Sequence, residues 1–89
     1  MNIVWMDDAI GDLERLHAFL NPKSPHAATR MRAALILAGD GLCVFPGRGR
    51  PGPVDHTREI VAGDYVLIYR LADAKTLHIL RVFHGKEKR

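Results

Sequence analysis

Residues 57–84 read TREIVAGDYVLIYRLADAKTLHILRVFH, and this stretch decides the fold. β-Branched and aromatic residues crowd three runs, 57–62, 65–71 and 76–84. Gly63-Asp64 separates the first two, and Asp73-Ala74-Lys75 the last two. Turns this short join antiparallel neighbours, so a three-stranded meander is expected. In the second run Tyr65, Leu67, Tyr69 and Leu71 alternate with Val66, Ile68 and Arg70. In the third, Leu77, Ile79, Arg81 and Phe83 alternate with His78, Leu80, Val82 and His84. Both sheet faces therefore read as largely apolar. Arg70 and Arg81 fall mid-sheet, where an unpaired buried guanidinium is costly. Each should pair with a carboxylate such as Glu59, line an open cleft, or meet an acidic ligand.

Upstream, residues 42–54 read LCVFPGRGRPGPV; glycine and proline break any regular element there, so this is a loop. Before it, Ser24-Pro25 supplies an N-cap serine with proline at the first helical position. Ala27, Met31, Ala34 and Ala38, with Leu35, mark the apolar face of that helix, and Gly39 and Gly41 its C-terminal stop. Further upstream Ala9, Leu13, Leu16 and Leu20 mark another helical face. Asp7 or Asp8 can cap that helix, and Asn21-Pro22 ends it. Ile3-Val4-Trp5 opens the chain as a short strand. The sum is an α+β, two-layer β-α-α-β-β-β domain, a helical hairpin packed on an antiparallel sheet. Two helices cover one sheet face. The other is left to residues 42–54, to a partner protein, or partly to both.

The chain has 89 residues, which is one domain spanning 1–89. Hydrophobic residues are 47% and charged residues 26%, a composition that excludes disorder and collagen-like repeats. No apolar run approaches the ~20 residues that span a bilayer. Asp7 and Asp8 arrive too early for a secretory signal. Cys43 is the lone cysteine, so no internal disulfide forms. A cytoplasmic protein without membrane attachment is expected. The net charge is +3, unevenly placed. Residues 1–45 hold four Lys/Arg against five Asp/Glu, and residues 46–89 nine against five. A basic second half suits an acidic partner, protein or nucleic acid, or a solubilising surface.

Several motifs are weaker. Arg48-Gly49-Arg50-Pro51 matches the core of a minor-groove hook, although glycine and proline shaping a loop explain it as well. Histidines 17, 26, 56, 78 and 84 show no i, i+4 pair, so neither a metal nor a cofactor is expected. The only serine, Ser24, is spent as a helix cap.

The sequence resembles the RelE/ParE family of toxins from type II toxin–antitoxin modules, which include plasmid stabilization toxins. The resemblance runs from Val4-Trp5 through Asp12-Leu13 and Ser24-Pro25. It is densest from Phe45-Pro46 through Gly49-Arg50-Pro51 and Arg58-Glu59-Ile60-Val61. It ends in 65–70, YVLIYR, and 79–85, ILRVFHG. It implies a toxin wrapped by a cognate, ParD-like antitoxin in a hetero-oligomer. It also implies one of two activities, mRNA cleavage on the ribosome or action on DNA gyrase. RelE-like nucleases carry lysines on the first meander strand, an arginine after the tyrosine opening the next, and often a C-terminal tyrosine. Here Thr57 and Glu59 stand for the lysines, Val66 follows Tyr65, and no tyrosine follows Tyr69. The chain therefore looks like ParE, a gyrase inhibitor meeting nucleic acid only indirectly.

On this reading Arg48, Arg50, Arg58, Arg70, Arg81, Lys86, Lys88 and Arg89 are expected to contact the target. Leu13, Leu16, Leu20, Met31, Leu35, Val66, Ile68, Leu80 and Val82 are expected under the antitoxin. No catalytic residue is assigned. If the chain were instead a RelE-like endonuclease, Arg58, Arg70, Arg81 and His84 would form the site, His84 serving as acid or base near neutral pH. A third reading is an inactive homologue that persists as an antitoxin-binding partner.

Overall fold

The computed structural model describes residues 1–87. The elements run β1 (Asn2–Trp5), α1 (Asp7–Leu20), α2 (Pro25–Gly41), β2 (Arg50–Pro51), β3 (Arg58–Ala62), β4 (Tyr65–Asp73) and β5 (Thr76–His84). They build the expected two layers, a helical hairpin on a five-stranded sheet of order β1-β5-β4-β3-β2. The meander is antiparallel, and its first turn closes through Gly63, whose φ of 61° suits a residue without Cβ. The sheet as a whole is mixed, because β1 lies parallel to β5. The helical hairpin carries the chain back between these strands, the connection that a parallel pair requires. The two-residue β2 lies inside the loop read at 42–54 and pairs with β3.

Two helix ends differ from expectation. Met6, not Asp7 or Asp8, occupies the N-cap of α1, without a side-chain cap. The Met6 N–H is already tied to the Ile79 carbonyl at 3.0 Å, so the helix starts as soon as the strand lets go. Asp7 and Asp8 sit in the first turn, facing the positive end of the helix dipole. Ser24 caps α2 as read, its Oγ accepting the Ala27 N–H at 3.1 Å. Gly39, however, does not stop α2. The helix continues to Gly41, and Gly39 marks where it crosses the sheet most closely. A Cβ there would lie 2.7 Å from Ile79 Cδ1 and 2.8 Å from Trp5 Cζ2. The buried face of α2 is Ala28, Met31, Leu35 and Gly39, rotated from the Ala27–Ala34 face read in the sequence; Ala34 is exposed.

The core fills the space between hairpin and sheet. Leu35, Leu42, Leu67, Tyr69, Leu77, Ile79 and Val82 are fully enclosed, and each large apolar side chain so buried contributes ~1.5–3 kcal/mol. Simple alternation fails along β5. Ile68 pairs with Arg81 but Tyr69 with Ile79, so Leu80 is an extra, bulged residue. Beyond it the parity flips: Val82, read as facing away from Leu77 and Ile79, joins them in the core.

Candidate functional site

Two clefts flank the meander. The first, of about 640 Å³, opens between α1 and the end of β5. Arg15, Leu16, Phe19 and Leu20 form one wall; Asp64, Tyr65, His84, Lys86 and Glu87 form the other. The His84 ring meets Tyr65 edge-on, with centroids 5.4 Å apart, and its Nδ1 accepts the Lys86 backbone N–H at 3.1 Å. Burial, then the Asp64 and Glu87 carboxylates, pushes the Tyr65 phenol above its ordinary pKa. The Arg15 guanidinium reaches both Glu87 oxygens, at 3.3 and 3.2 Å.

The second cleft, of about 560 Å³, lies on the sheet face away from the helices. Ile68, Leu80 and Phe83 line its apolar part, Pro53, Val54, Asp55 and Thr57 come from the loop side, and Arg70 and Arg81 also line it. The loop thus covers this face in part. Arg81 is held in place: its Nε donates to Asp12 Oδ2 at 2.7 Å and its terminal N–H to Asp12 Oδ1 at 3.0 Å. Asp12 Oδ2 also accepts the Val82 N–H at 2.9 Å, the amide next to the bulge. Hydrogen bonding to Asp12 is the main cause that raises the already high pKa of Arg81, so it stays charged. Its guanidinium also lies 4.9 Å from the Phe83 ring centroid.

The carboxylate that meets Arg81 is therefore Asp12, not Glu59. Glu59 accepts from Arg50 at 2.7 Å. Arg58 donates to the Gly49 carbonyl at 2.7 Å and the Gly47 carbonyl at 3.4 Å, so it serves the loop. Tyr69 holds the same loop from beneath: its hydroxyl donates to the Pro46 carbonyl at 2.7 Å and accepts the Gly49 N–H at 2.9 Å. A Cβ on Gly49 would meet that hydroxyl at 2.7 Å. The 48–51 stretch is thus a built turn leading into β2, which accounts for its glycine and proline. Arg48 is exposed and Arg70 lines the sheet-face cleft, whereas Lys86 and His84 belong to the α1 cleft. Lys88 and Arg89 lie outside the described residues.

Seven of the nine residues expected under the antitoxin are buried, five of them in the core. Leu13, Leu16, Met31, Leu35 and Val82 are 5% exposed or less and belong to the core cluster. Their helical spacing is that of a face packed on the sheet, and the bulge turns Val82 inward. Val66 and Ile68, on the opposite face, are each 5% exposed. Leu20 and Leu80 are half-buried and remain on cleft walls. The apolar side chains that do reach the surface are others, among them Phe19, Leu37, Val44 and Phe45. Asp12 was the missed residue. A carboxylate three positions after Ala9 and next to Leu13, on the apolar helix face, was the signal for it.

Known proteins share this architecture. A chain of the chromosomal ParDE toxin–antitoxin system of P. aeruginosa superposes with a TM-score of 0.83, covering 94% of this chain and 95% of that one at 21% identity. A chain of the toxin–antitoxin complex RelBE2 from Mycobacterium tuberculosis does so at 0.71, with 30% identity and 93% and 95% coverage. Toxin RelE2 of Caulobacter vibrioides is 35% identical over 83 residues, 93% of each chain. The scaffold and its relatives define a toxin of the ParE/RelE superfamily of type II toxin–antitoxin systems. Within it, the profile described as ParE toxin of type II toxin-antitoxin system, parDE, matches residues 3–89, and the chain belongs to that family.

Proposed function

We propose that this protein is a gyrase-directed toxin, silenced by a cognate antitoxin, and that it acts by protein–protein contact rather than by cutting RNA. The observation that carries this reading is the dispersal of the nuclease candidates. Arg58 is engaged by loop carbonyls, Arg81 is clamped by Asp12, and His84 lines a different cleft from Arg70 and Arg81. Metal-free RNA cleavage needs a base, an acid and phosphate-binding cations converging on one phosphodiester. Of the basic second half, Arg48, Arg70 and Lys86 are exposed and could meet a target with acidic patches.

The test is supercoiling of relaxed plasmid by gyrase in the presence of the purified protein, with a search for linear DNA. Inhibition with linear product is expected. A clean negative from folded, antitoxin-free protein would sink the reading for that gyrase. One observation favours the ribonuclease alternative: Arg70 and Arg81 line the same open cleft, beside Thr57. Cleavage of mRNA on translating ribosomes, lost when both arginines are replaced, would establish it instead.

A further inference from the structure

The bulge at Leu80 re-aims the end of β5. Leu77 and Ile79 face the core, and strict alternation would send Arg81 and Phe83 in after them. The extra residue instead puts Val82 in the core and turns Arg81 and Phe83 onto the sheet face away from the helices, where both line the cleft of about 560 Å³. β1 pairs with β5 only as far as Ile79, so from Leu80 onward that edge of β5 is open to α1. Across it Asp12 takes the Nε–H and one terminal N–H of Arg81 side-on, at 2.7 and 3.0 Å. A guanidinium carries five N–H groups, so three remain outside that pair. Arg70 stands two residues along β4 from Ile68, the residue opposite Arg81, and is therefore its diagonal neighbour on this face. The Arg70 side chain is exposed and makes no hydrogen bond or ion pair among the described residues. Charge and lining together select an occupant. Arg70 and Arg81 are balanced by Asp12, which binds Arg81 from the α1 side, and by Asp55 on the loop side. That balance offers no net field to a run of phosphates. What the cleft does offer is directed N–H donors among Ile68, Leu80, Phe83 and Val54, which fits one carboxylate flanked by apolar side chains. The other cations of the second half are placed differently: Arg50 is taken up by Glu59, Arg58 by loop carbonyls, and Lys86 lines the α1 cleft.

We propose that the toxin grips its protein target in this cleft, through an acidic side chain set between apolar ones and held by Arg70 and the remaining N–H groups of Arg81, with Asp12 as the positioning residue that aims Arg81. The proposal rests on the protein-contact reading above and adds to it the site and the chemistry of the bound segment. Asp12 touches no target atom. Its part is to fix a long, flexible side chain before the target arrives, so that less freedom is lost on binding.

The test measures affinity for purified gyrase and inhibition of supercoiling with folded, antitoxin-free protein. The variants are Arg70→Glu, Arg81→Gln, Asp12→Asn, the double variant Asp12→Asn with Arg81→Gln, and Lys75→Glu as a control in the β4–β5 turn. Circular dichroism fixes a temperature at which each is folded. Arg70→Glu breaks no side-chain contact of the described residues, so it decides the matter even if Arg81→Gln, which strands buried Asp12, does not fold. The expected result is binding about tenfold weaker for Arg70→Glu and for Arg81→Gln, with inhibition falling in parallel and the control unchanged. Asp12→Asn weakens binding several-fold on its own but adds nothing to Arg81→Gln, because it acts through that side chain. Full affinity of folded Asp12→Asn overturns the positioning role. Wild type that binds and inhibits, with Arg70→Glu its equal, overturns the site and leaves the gyrase reading intact. Wild type that neither binds nor inhibits overturns both. Loss of antitoxin binding by Arg70→Glu with gyrase binding unchanged gives the cleft to the antitoxin, and loss of mRNA cleavage on ribosomes gives it to RNA; either overturns the proposal.

Discussion

Asp12 ties α1 to β5 through one carboxylate. It is 5% exposed, yet it satisfies a buried amide at Val82 and both donating groups of Arg81 that face it. A carboxylate in a helix face is expensive to bury, and it persists here because each bond it makes is charge-assisted. The Arg81 side chain is 44% exposed, so solvent discounts the ion pair itself; the buried Val82 N–H is not discounted. Replacing Asp12 with Ala is expected to cost about 2–4 kcal/mol, much of it from the orphaned amide. Asp12→Asn, which keeps one acceptor, should cost about half of that. Urea denaturation of the two variants checks both the size and the order, and equal losses would mean that the amide bond is unimportant.

Among the elements, α2 shows how much was legible in sequence and where legibility stops. Its start was readable because Ser24-Pro25 acts locally, through one capping bond and a pre-set φ. Its end was readable only in part: Gly41 is its last residue, but Gly39 answers to Ile79 and Trp5, forty residues away on one side and thirty-four on the other. A glycine that stops a helix and one that lets it cross a sheet look alike in one dimension. The meander was legible because its turns are local, and the bulge at Leu80 was not, because it is a matter of pairing with β4. Arg70 and Arg81, each expected to meet a carboxylate, an open cleft or an acidic ligand, line one cleft, whereas His84, one residue past Phe83, lines another. Gly39→Ala tests the close approach. If Gly39 were a neutral helix position, alanine would stabilise the helix by up to ~1 kcal/mol. The contacts predict the opposite, a loss of about 1–3 kcal/mol from overpacking, visible as a lower melting temperature.

At the scale of the molecule, the order β1-β5-β4-β3-β2 puts the last strand of the sequence in the interior of the sheet. β5 hydrogen-bonds to β1 on one side and β4 on the other, and α1 packs across it. A chain ending at residue 75 would lose Leu77, Ile79 and Val82 from the core and leave β1 with no neighbour. Such a truncation is expected to lack cooperative unfolding altogether, which thermal melting followed by circular dichroism would reveal; a sharp transition would contradict it. The same arrangement has a meaning in time. A ribosome making this protein delivers both helices and most of the sheet before the strand that unites them. Until β5 is made, the nascent chain has no finished sheet and so no finished surface. A message that breaks off before residue 76 then yields an unfinished fold, and the folded toxin exists only once β5 joins β1 to β4.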